Sequence, residues 1–596
     1  MGSRRHPRSW RRAAFVAGAA LLAVAGGLSG LAFAGCGGND ALTSTPLEIS
    51  GNGANDGSGG NGGGGSLGDA SRDGGLADGP HFDQSLIVTT GLGPVQGALD
   101  LGVPSFRGIP YAAPPVGPLR WSAPVPPTAW TTPVDATHFT STCIQLDTEG
   151  NLLAGGSEDC LTLNVWTPTH GDLDAGAKLP VLAFIHGGYF VKGGATYQWH
   201  DELVYDGAAL AAFANAVVVT IQYRLGAFGF LAHPALSSAA APHGNYGLLD
   251  QIAALQFVRG NIGHFGGDAT NVTIFGQSSG GNSVAALLAS PFAKGLFTRA
   301  IIESGGFSAY SVATGTSDSA IVASALGCGT AADVAGCLRA KDAGDVAVSL
   351  PDSALGPARW HFIADGYALP DDPLSLFTAG QWNQVPVILG TNRDELSAMV
   401  YDYLRAASLP TPTNQATYES DVSALYPSNA SAVLDNYPYA TYSSSPVSGL
   451  AQLLADDQYT CPTRQAARAL ATSGQPVFRY LFVHSLDPDD YSDGGGGNSV
   501  LGAYHFLEVP FVFHAMAPSD FAFSADEYTL STQMIDLWSS FARSGMPSAP
   551  GLTWPQYPAF AGDAGAQPDP YLAIDVQAAT GDGVRTTFCD FWDSQP

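Results

Sequence analysis

The sequence predicts an α/β fold with one large, mostly parallel sheet covered by helices on both faces. Two observations carry that prediction. From Leu86 onward, short apolar runs rich in β-formers alternate with helical patterns, the signature of strands joined by crossover helices. Of the 596 residues, 45% are hydrophobic and only 13% charged, which supplies a large core and excludes disorder throughout.

The elements follow in order. The runs at residues 181–185, 216–223, 272–275, 300–302 and 385–389 predict central strands. Between the second and third, Leu248, Leu249, Ile252, Leu255 and Val258 fall on one helical stripe. A last long helix is expected over 530–544, with Leu530, Met534, Leu537, Trp538 and Phe541 on one face and Gly545 and Pro547 as stop signals. No membrane-spanning run is read after the first 35 residues.

Residues 1–35 read as an export signal. Arg4, Arg5, Arg8, Arg11 and Arg12 form a positive start, followed by an Ala/Leu/Val/Gly run from Ala13. The segment ends in Phe33-Ala34-Gly35-Cys36, which resembles the lipobox of bacterial lipoproteins, where the cysteine is lipidated; Phe33 departs from the usual aliphatic residue. Ala32-x-Ala34 offers ordinary signal cleavage as the competing reading. Residues 36–83 are mostly Gly, Asn, Asp and Ser, too poor in apolar side chains to fold, and are expected to form a tether spanning roughly 35 to 40 Å. Residues 84–596 then form the folded domain. The expected location is exported, either as a cell-envelope lipoprotein or secreted, with membrane contact only through an N-terminal lipid.

The formal charge is −28, from 24 basic and 52 acidic side chains. Such an excess repels phosphate backbones and anionic lipid surfaces, so nucleic acid is not an expected partner.

The pattern GxSxG occurs twice. With 73 glycines in the chain, chance alone supplies on the order of 0.7 matches, and the copy at residues 64–68 in the tether is compositional. The other is Gly276-Gln277-Ser278-Ser279-Gly280, which follows an expected strand and precedes the helical run 283–288. A nucleophile elbow needs that context: glycines flank a serine on a tight strand-to-helix turn, where its hydroxyl stands exposed. Upstream, the strand at 181–185 runs into His186-Gly187-Gly188-Tyr189-Phe190, similar to the glycine loops whose bare amides form an oxyanion hole.

Further motifs extend over residues 103 to 596: Phe106-Arg107-Gly108-Ile109-Pro110-Tyr111 with Pro114-Pro115-Val116-Gly117, then Ser157-Glu158-Asp159-Cys160-Leu161-Thr162-Leu163-Asn164-Val165. Gly266-Gly267-Asp268 leads through Asn271-Val272-Thr273-Ile274-Phe275 into the elbow, and Trp538, Phe541, Gly545, Pro547 and Trp554 close the chain. In this order they resemble the type-B carboxylesterases, the cholinesterase-like α/β hydrolases. The resemblance implies the α/β-hydrolase fold and a serine, acid, histidine order. Gly390-Thr391-Asn392-Arg393-Asp394-Glu395 looks like the segment that ends in the triad acid, which assigns Glu395 rather than Asp394. Gly502-Ala503-Tyr504-His505, followed by Glu508, Phe511 and Phe513, looks like the histidine segment and assigns His505. The oxyanion amides fall on Gly188, Tyr189 and Ser279. The family pattern also implies disulfides Cys143–Cys160, Cys328–Cys337 and Cys461–Cys589, the last worth about 4 to 5 kcal/mol in the loop-entropy model. His186, His243, His264, His484 and His514 lack the triad context and read as structural or surface residues.

In this reading His505 takes the proton of Ser278, Glu395 fixes the imidazole tautomer, and small-molecule esters are split through an acyl-enzyme with neither metal nor organic cofactor. A histidine near its ordinary pKa must be neutral to act as a base, so activity should rise between roughly pH 6 and 8. Four departures qualify the resemblance. Tyr189 replaces a small residue and brings a ring that could narrow the acyl pocket; Gln277 replaces a glutamate; Ser279 replaces an alanine, with little effect expected; and no tryptophan lies between Cys143 and Cys160. The second and fourth argue against a cholinesterase, which needs attraction for a quaternary ammonium. Two alternatives stand beside the esterase: a lipase for long acyl chains, and a non-catalytic cholinesterase-like surface binder. The Asp/Gly-rich insertion at 487–498 is expected to be a loop near the site mouth.

Overall fold

The computed structural model describes residues 86–595 except 148–149, 169–177, 200–201, 239–243, 350–359, 487–500, 516–522 and 560–567. The signal, the tether, Cys36, His243 and the 487–498 insertion therefore lie outside the described residues. Eleven strands form the main sheet: β1 (Ala98–Asp100), β2 (Val103–Pro110), β3 (Thr162–Trp166), β4 (Leu179–Ile185), β5 (Val217–Ile221), β6 (Gly267–Gln277), β7 (Arg299–Glu303), β8 (Val387–Asn392), β9 (Val477–Phe482), β10 (Pro570–Ile574) and β11 (Ala579–Asp582). Their order across the sheet is β11-β10-β9-β8-β7-β6-β4-β5-β3-β2-β1. Neighbours from β5 to β10 pair in parallel. The antiparallel pairs sit at the two ends. All five predicted central runs are strands, and each is covered on both faces, which explains why they read as continuous apolar stretches rather than alternating ones.

The pleat divides each strand between two cores. Val181, Ala183 and Ile185 of β4 join one cluster, whereas Leu182 and Phe184 join the other. Helix α1 (Tyr246–Asn261) and helix α2 (Ser279–Ala289) cover the first face through Leu248, Ile252, Leu255 and Val284. Farther along come α3 (Val400–Ala406), α4 (Cys461–Ala471), preceded by a π-helical turn at Asp456–Thr460, and α5 (Glu508–Phe513). Helix α6 (Ala525–Ser544) covers the second face with Met534, Leu537, Trp538 and Phe541. It starts five residues before the expected Leu530. Ser524 caps it, accepting the amide of Glu527 while the Glu527 carboxylate accepts the amide of Ser524, a reciprocal box that stabilises a polar first turn. Its end at Gly545, φ 79°, is where the stop signals put it.

Three disulfides join Cys143 to Cys160, Cys328 to Cys337 and Cys461 to Cys589. No described helix is long and apolar enough to cross a membrane.

Candidate active site

The chemistry-bearing residues gather at the C-terminal edge of the parallel strands. Ser278 follows β6 directly and stands at φ 59°, ψ −126°, before the first residue of α2. A non-glycine residue in that region is strained and persists only where its surroundings hold it. Here the Ser278 amide donates to the Glu303 carbonyl at 2.9 Å. The glycines around it are sterically required: a Cβ on Gly276 would lie 2.5 Å from the Gly280 carbonyl oxygen, and one on Gly280 would lie 2.0 Å from the Ile185 oxygen.

The loop after β4 lies against this elbow, since a Cβ on Gly187 would come within 2.9 Å of the Ser278 Cβ. Gly188, Tyr189 and Phe190 all take positive φ, at 113°, 58° and 62°. This turn lets the Val191 and Lys192 amides donate to the Gly188 carbonyl. Ser279 opens α2, where an amide has no intrahelical acceptor. Among the described residues no acceptor takes the amides of Gly188 or Tyr189. The Ser279 Oγ accepts the Phe190 N–H at 3.3 Å and ties the loop to the elbow. The Tyr189 hydroxyl is buried without a hydrogen-bond partner. Burial, then the charges of Tyr403 and Asp402, raise its pKa.

Glu395 follows β8 by three residues and is fully buried. Its Oε1 accepts the Asn392 amide at 2.8 Å, and its Oε2 lies 2.5 Å from His505 Nδ1. The two segments are laced by their backbones: His505 N–H donates to the Glu395 carbonyl at 3.0 Å, and Asp394 N–H to the Ala503 carbonyl at 2.9 Å. The Asp394 carboxylate accepts the Ala503 amide at 2.9 Å, and Ser397 Oγ donates to the Leu501 carbonyl at 2.5 Å. Burial pulls the His505 imidazolium down, but the charge and hydrogen bond of Glu395, with the charge of Glu508 added, outweigh it and leave its pKa raised. His505 Nε2 is buried without a partner. The Tyr459 ring, on the π-helical turn, packs 5.0 Å from the imidazole.

Glu395 and His505 are thus in contact. Ser278 stands on the same edge, because β6, β7 and β8 are consecutive neighbours; no hydrogen bond joins it to His505 among the described residues. The other described histidines set aside from the sequence lie outside this contact. His186 bonds the Gly187 carbonyl, His484 meets Asp575 and Glu527, His514 meets Ser531, and His264 is exposed. Among the described residues no group of three His, Cys, Asp or Glu side chains could hold a metal. Sequence reasoning missed Tyr459 and Glu303; for Glu303 a signal existed, a charged residue closing the buried run of β7.

A family model described as the Carboxylesterase family matches residues 84–592. The chain is 35% identical over 546 residues to a cocaine esterase of Homo sapiens, covering 85% of this chain and 91% of that protein. It is 33% identical over 551 residues to a medium-chain fatty acyl-CoA hydrolase precursor of Anas platyrhynchos, covering 87% and 93%. It is 34% identical over 494 residues to a fumonisin B1 esterase of Sphingopyxis macrogoltabida, covering 80% and 85%.

Proposed function

The chain belongs to the carboxylesterase family and is a carboxylic ester hydrolase, and from that premise we propose that Ser278, Glu395 and His505 are its catalytic triad. The observation that carries the proposal is the buried contact between His505 Nδ1 and Glu395 Oε2 on the strand edge that also holds the strained Ser278. That contact fixes the tautomer, leaving Nε2 as the base for the serine proton. Ser278 Oγ attacks the ester carbonyl, and His505 becomes an imidazolium beside the Glu395 charge. The oxyanion is held by the amides of Gly188, Tyr189 and Ser279; losing one such donor costs about 3 to 4 kcal/mol in the barrier. His505 then protonates the departing alcohol, and water, deprotonated by the same imidazole, releases the acid and restores Ser278.

The substrates in this reading are small neutral esters. Three disulfides fit an oxidising compartment. Under the same reading residues 1–35 direct export, Cys36 carries a lipid and residues 36–83 hold the catalytic body off the membrane. The test is hydrolysis of p-nitrophenyl esters from acetyl to palmitoyl by wild type and Ser278→Ala. Saturable turnover lost by several orders of magnitude in the alanine variant is expected. A chain-length optimum at palmitoyl would turn the reading to a lipase, and equal inertness of the two folded proteins would turn it to a surface binder.

A further inference from the structure

The glycine loop after β4 carries a cation that has no counter-ion. Arg393, beside the triad acid, meets Asp394, and Arg405 of α3 meets Asp402. Lys192, which closes the turn holding Gly188 and Tyr189, is half-buried, and among the described residues no carboxylate pairs with its ammonium.

The turn fixes where that side chain starts. Lys192 N–H donates to the Gly188 carbonyl at 3.0 Å. On its other side Gln145 grips Gly193 twice, Nε2 donating to the Gly193 carbonyl and Oε1 accepting the Gly193 amide, both at 2.8 Å. Gly193 has to be a glycine, since a Cβ there would lie 2.5 Å from the Gly187 carbonyl oxygen. The loop is thus closed on itself, and the Lys192 side chain leaves it alongside Gly188: a Cβ on Gly188 would lie 3.3 Å from Lys192 Cγ. The ammonium is three bonds beyond that carbon. Lys192 also lines a cleft with Gln145, Leu146, Val191, Phe228 and Trp360, which leaves room beside its stem.

Holding a cation there is unfavourable. Burial lowers the Lys192 pKa, opposed by the Asp402 charge and helped by that of Arg405, and the Asp402 carboxylate is already taken by Arg405. A partly desolvated ammonium without a counter-ion is stabilised by a carboxylate brought beside it. The formal charge of −28 repels anions at long range, so a preference for an anionic ligand has to come from a local cation.

We propose that Lys192 is a specificity residue that receives a free carboxylate on the substrate, so that half-esters of dicarboxylic acids, or esters of alcohols that carry a carboxylate, are hydrolysed in preference to their neutral counterparts. This rests on the triad reading, in which Gly188 supplies an oxyanion amide, and it narrows the substrate class: neutral esters remain substrates, and those bearing a carboxylate are the better ones. The contact is ionic and leaves the acyl-transfer steps as they stand. It is made before and during the reaction alike, so it acts through KM.

The experiment compares matched esters on the full-length protein. On the acyl side, mono-p-nitrophenyl adipate is set against the p-nitrophenyl ester of its isopropyl-ended analogue, in which two methyl groups replace the two carboxylate oxygens. On the alcohol side, p-(carboxymethyl)phenyl hexanoate is set against p-isobutylphenyl hexanoate. In the wild type at least one pair should show kcat/KM about tenfold or more higher for the acid, as a charge-assisted contact yields, through a lower KM. Lys192→Met should bring that ratio to one or below and Lys192→Arg should keep it. Hydrolysis of the neutral ester reports whether each variant is folded, and Lys192→Gln replaces Lys192→Met if that variant is not. A smaller wild-type ratio in both pairs, or a preference that survives loss of the charge, overturns the proposal, and the ammonium is then a solvated head on a buried stem. A Lys192-dependent preference that persists in Ser278→Ala would defeat the triad reading while the carboxylate site stands, and a wild type inert toward all four esters overturns both.

Discussion

The His505 imidazole and the Glu395 carboxylate meet at 2.5 Å through Nδ1 and Oε2, and neither side chain is open to solvent. The second oxygen of Glu395 is taken by the Asn392 amide, so the carboxylate is held at both ends and can serve as a fixed acceptor.

Glu395→Gln should therefore cost far more than its small change in shape. An amide in place of the carboxylate removes the charge that stabilises the imidazolium, and its NH2 would favour the wrong imidazole tautomer. Turnover of p-nitrophenyl butyrate is expected to fall by about 10³ to 10⁴, with KM changed little. A loss below tenfold, in a protein whose circular dichroism matches wild type, would remove Glu395 from the triad.

The same contact sets the pH dependence. Burial lowers the His505 pKa, and the charge and hydrogen bond of Glu395, together with the charge of Glu508, raise it by more, so the net direction is upward from 6.5. The base acts only when neutral, and the acid limb of kcat/KM should have its midpoint above pH 6.5, with activity still climbing at pH 7. A profile already flat by pH 6 would contradict this sign.

The legible part of this site was what lies along the chain. The elbow could be read from Gly276 to Gly280 because the steric demand on those glycines is local. The five central strands could be read because burial on both faces writes itself as apolar runs. Tyr459 could not, since its packing on His505 depends on a π-helical turn 46 residues upstream in sequence. The bond from the Phe190 amide to Ser279 Oγ spans 89 residues, so nothing local in the chain marks Ser279 as more than a replacement for alanine. Glu395, not Asp394, touches His505, yet the Asp394 carboxylate grips the Ala503 amide that leads into that histidine. The length of α6 was underestimated because its first turn is polar and held by a cap rather than by an apolar stripe.

Acid should loosen the core behind the glycine loop that follows β4. His186 and His361 are buried, and burial lowers each pKa to about 4, opposed by backbone hydrogen bonds at Gly187 and Phe362. A folded-state value below the unfolded 6.5 means that the unfolded chain binds more protons between the two. This stability is present above pH 6.5 and drains away as pH falls toward 4, about 3 kcal/mol for each histidine. Urea unfolding at pH 7.5, 6 and 4.5 should show falling midpoints, and His361→Asn should flatten the dependence. Equal midpoints at all three pH values would show that neither histidine is held neutral by the fold.

The Cys461–Cys589 disulfide should matter for catalysis as well as for stability. It closes a loop of 128 residues, for which chain entropy predicts a stabilisation of about 4 to 5 kcal/mol. It ties the C-terminal helix Thr586–Ser594 to the start of α4, immediately after the turn that carries Tyr459. Ion pairs reinforce that attachment: Arg464 bonds Asp590 and Asp593, and Arg585 bonds Asp456. Replacing both cysteines by serine leaves those pairs in place, so the helix should stay docked at 25 °C and release on warming. Release frees Asp456 from Arg585, loosens the turn and withdraws the Tyr459 ring from the imidazole, which lowers turnover before the sheet melts. The double variant is thus expected to lose activity at a lower temperature than its far-ultraviolet circular dichroism signal, whereas in the wild type the two losses should nearly coincide. Coincident losses in the variant would show that the C-terminal helix stabilises the body without any bearing on His505.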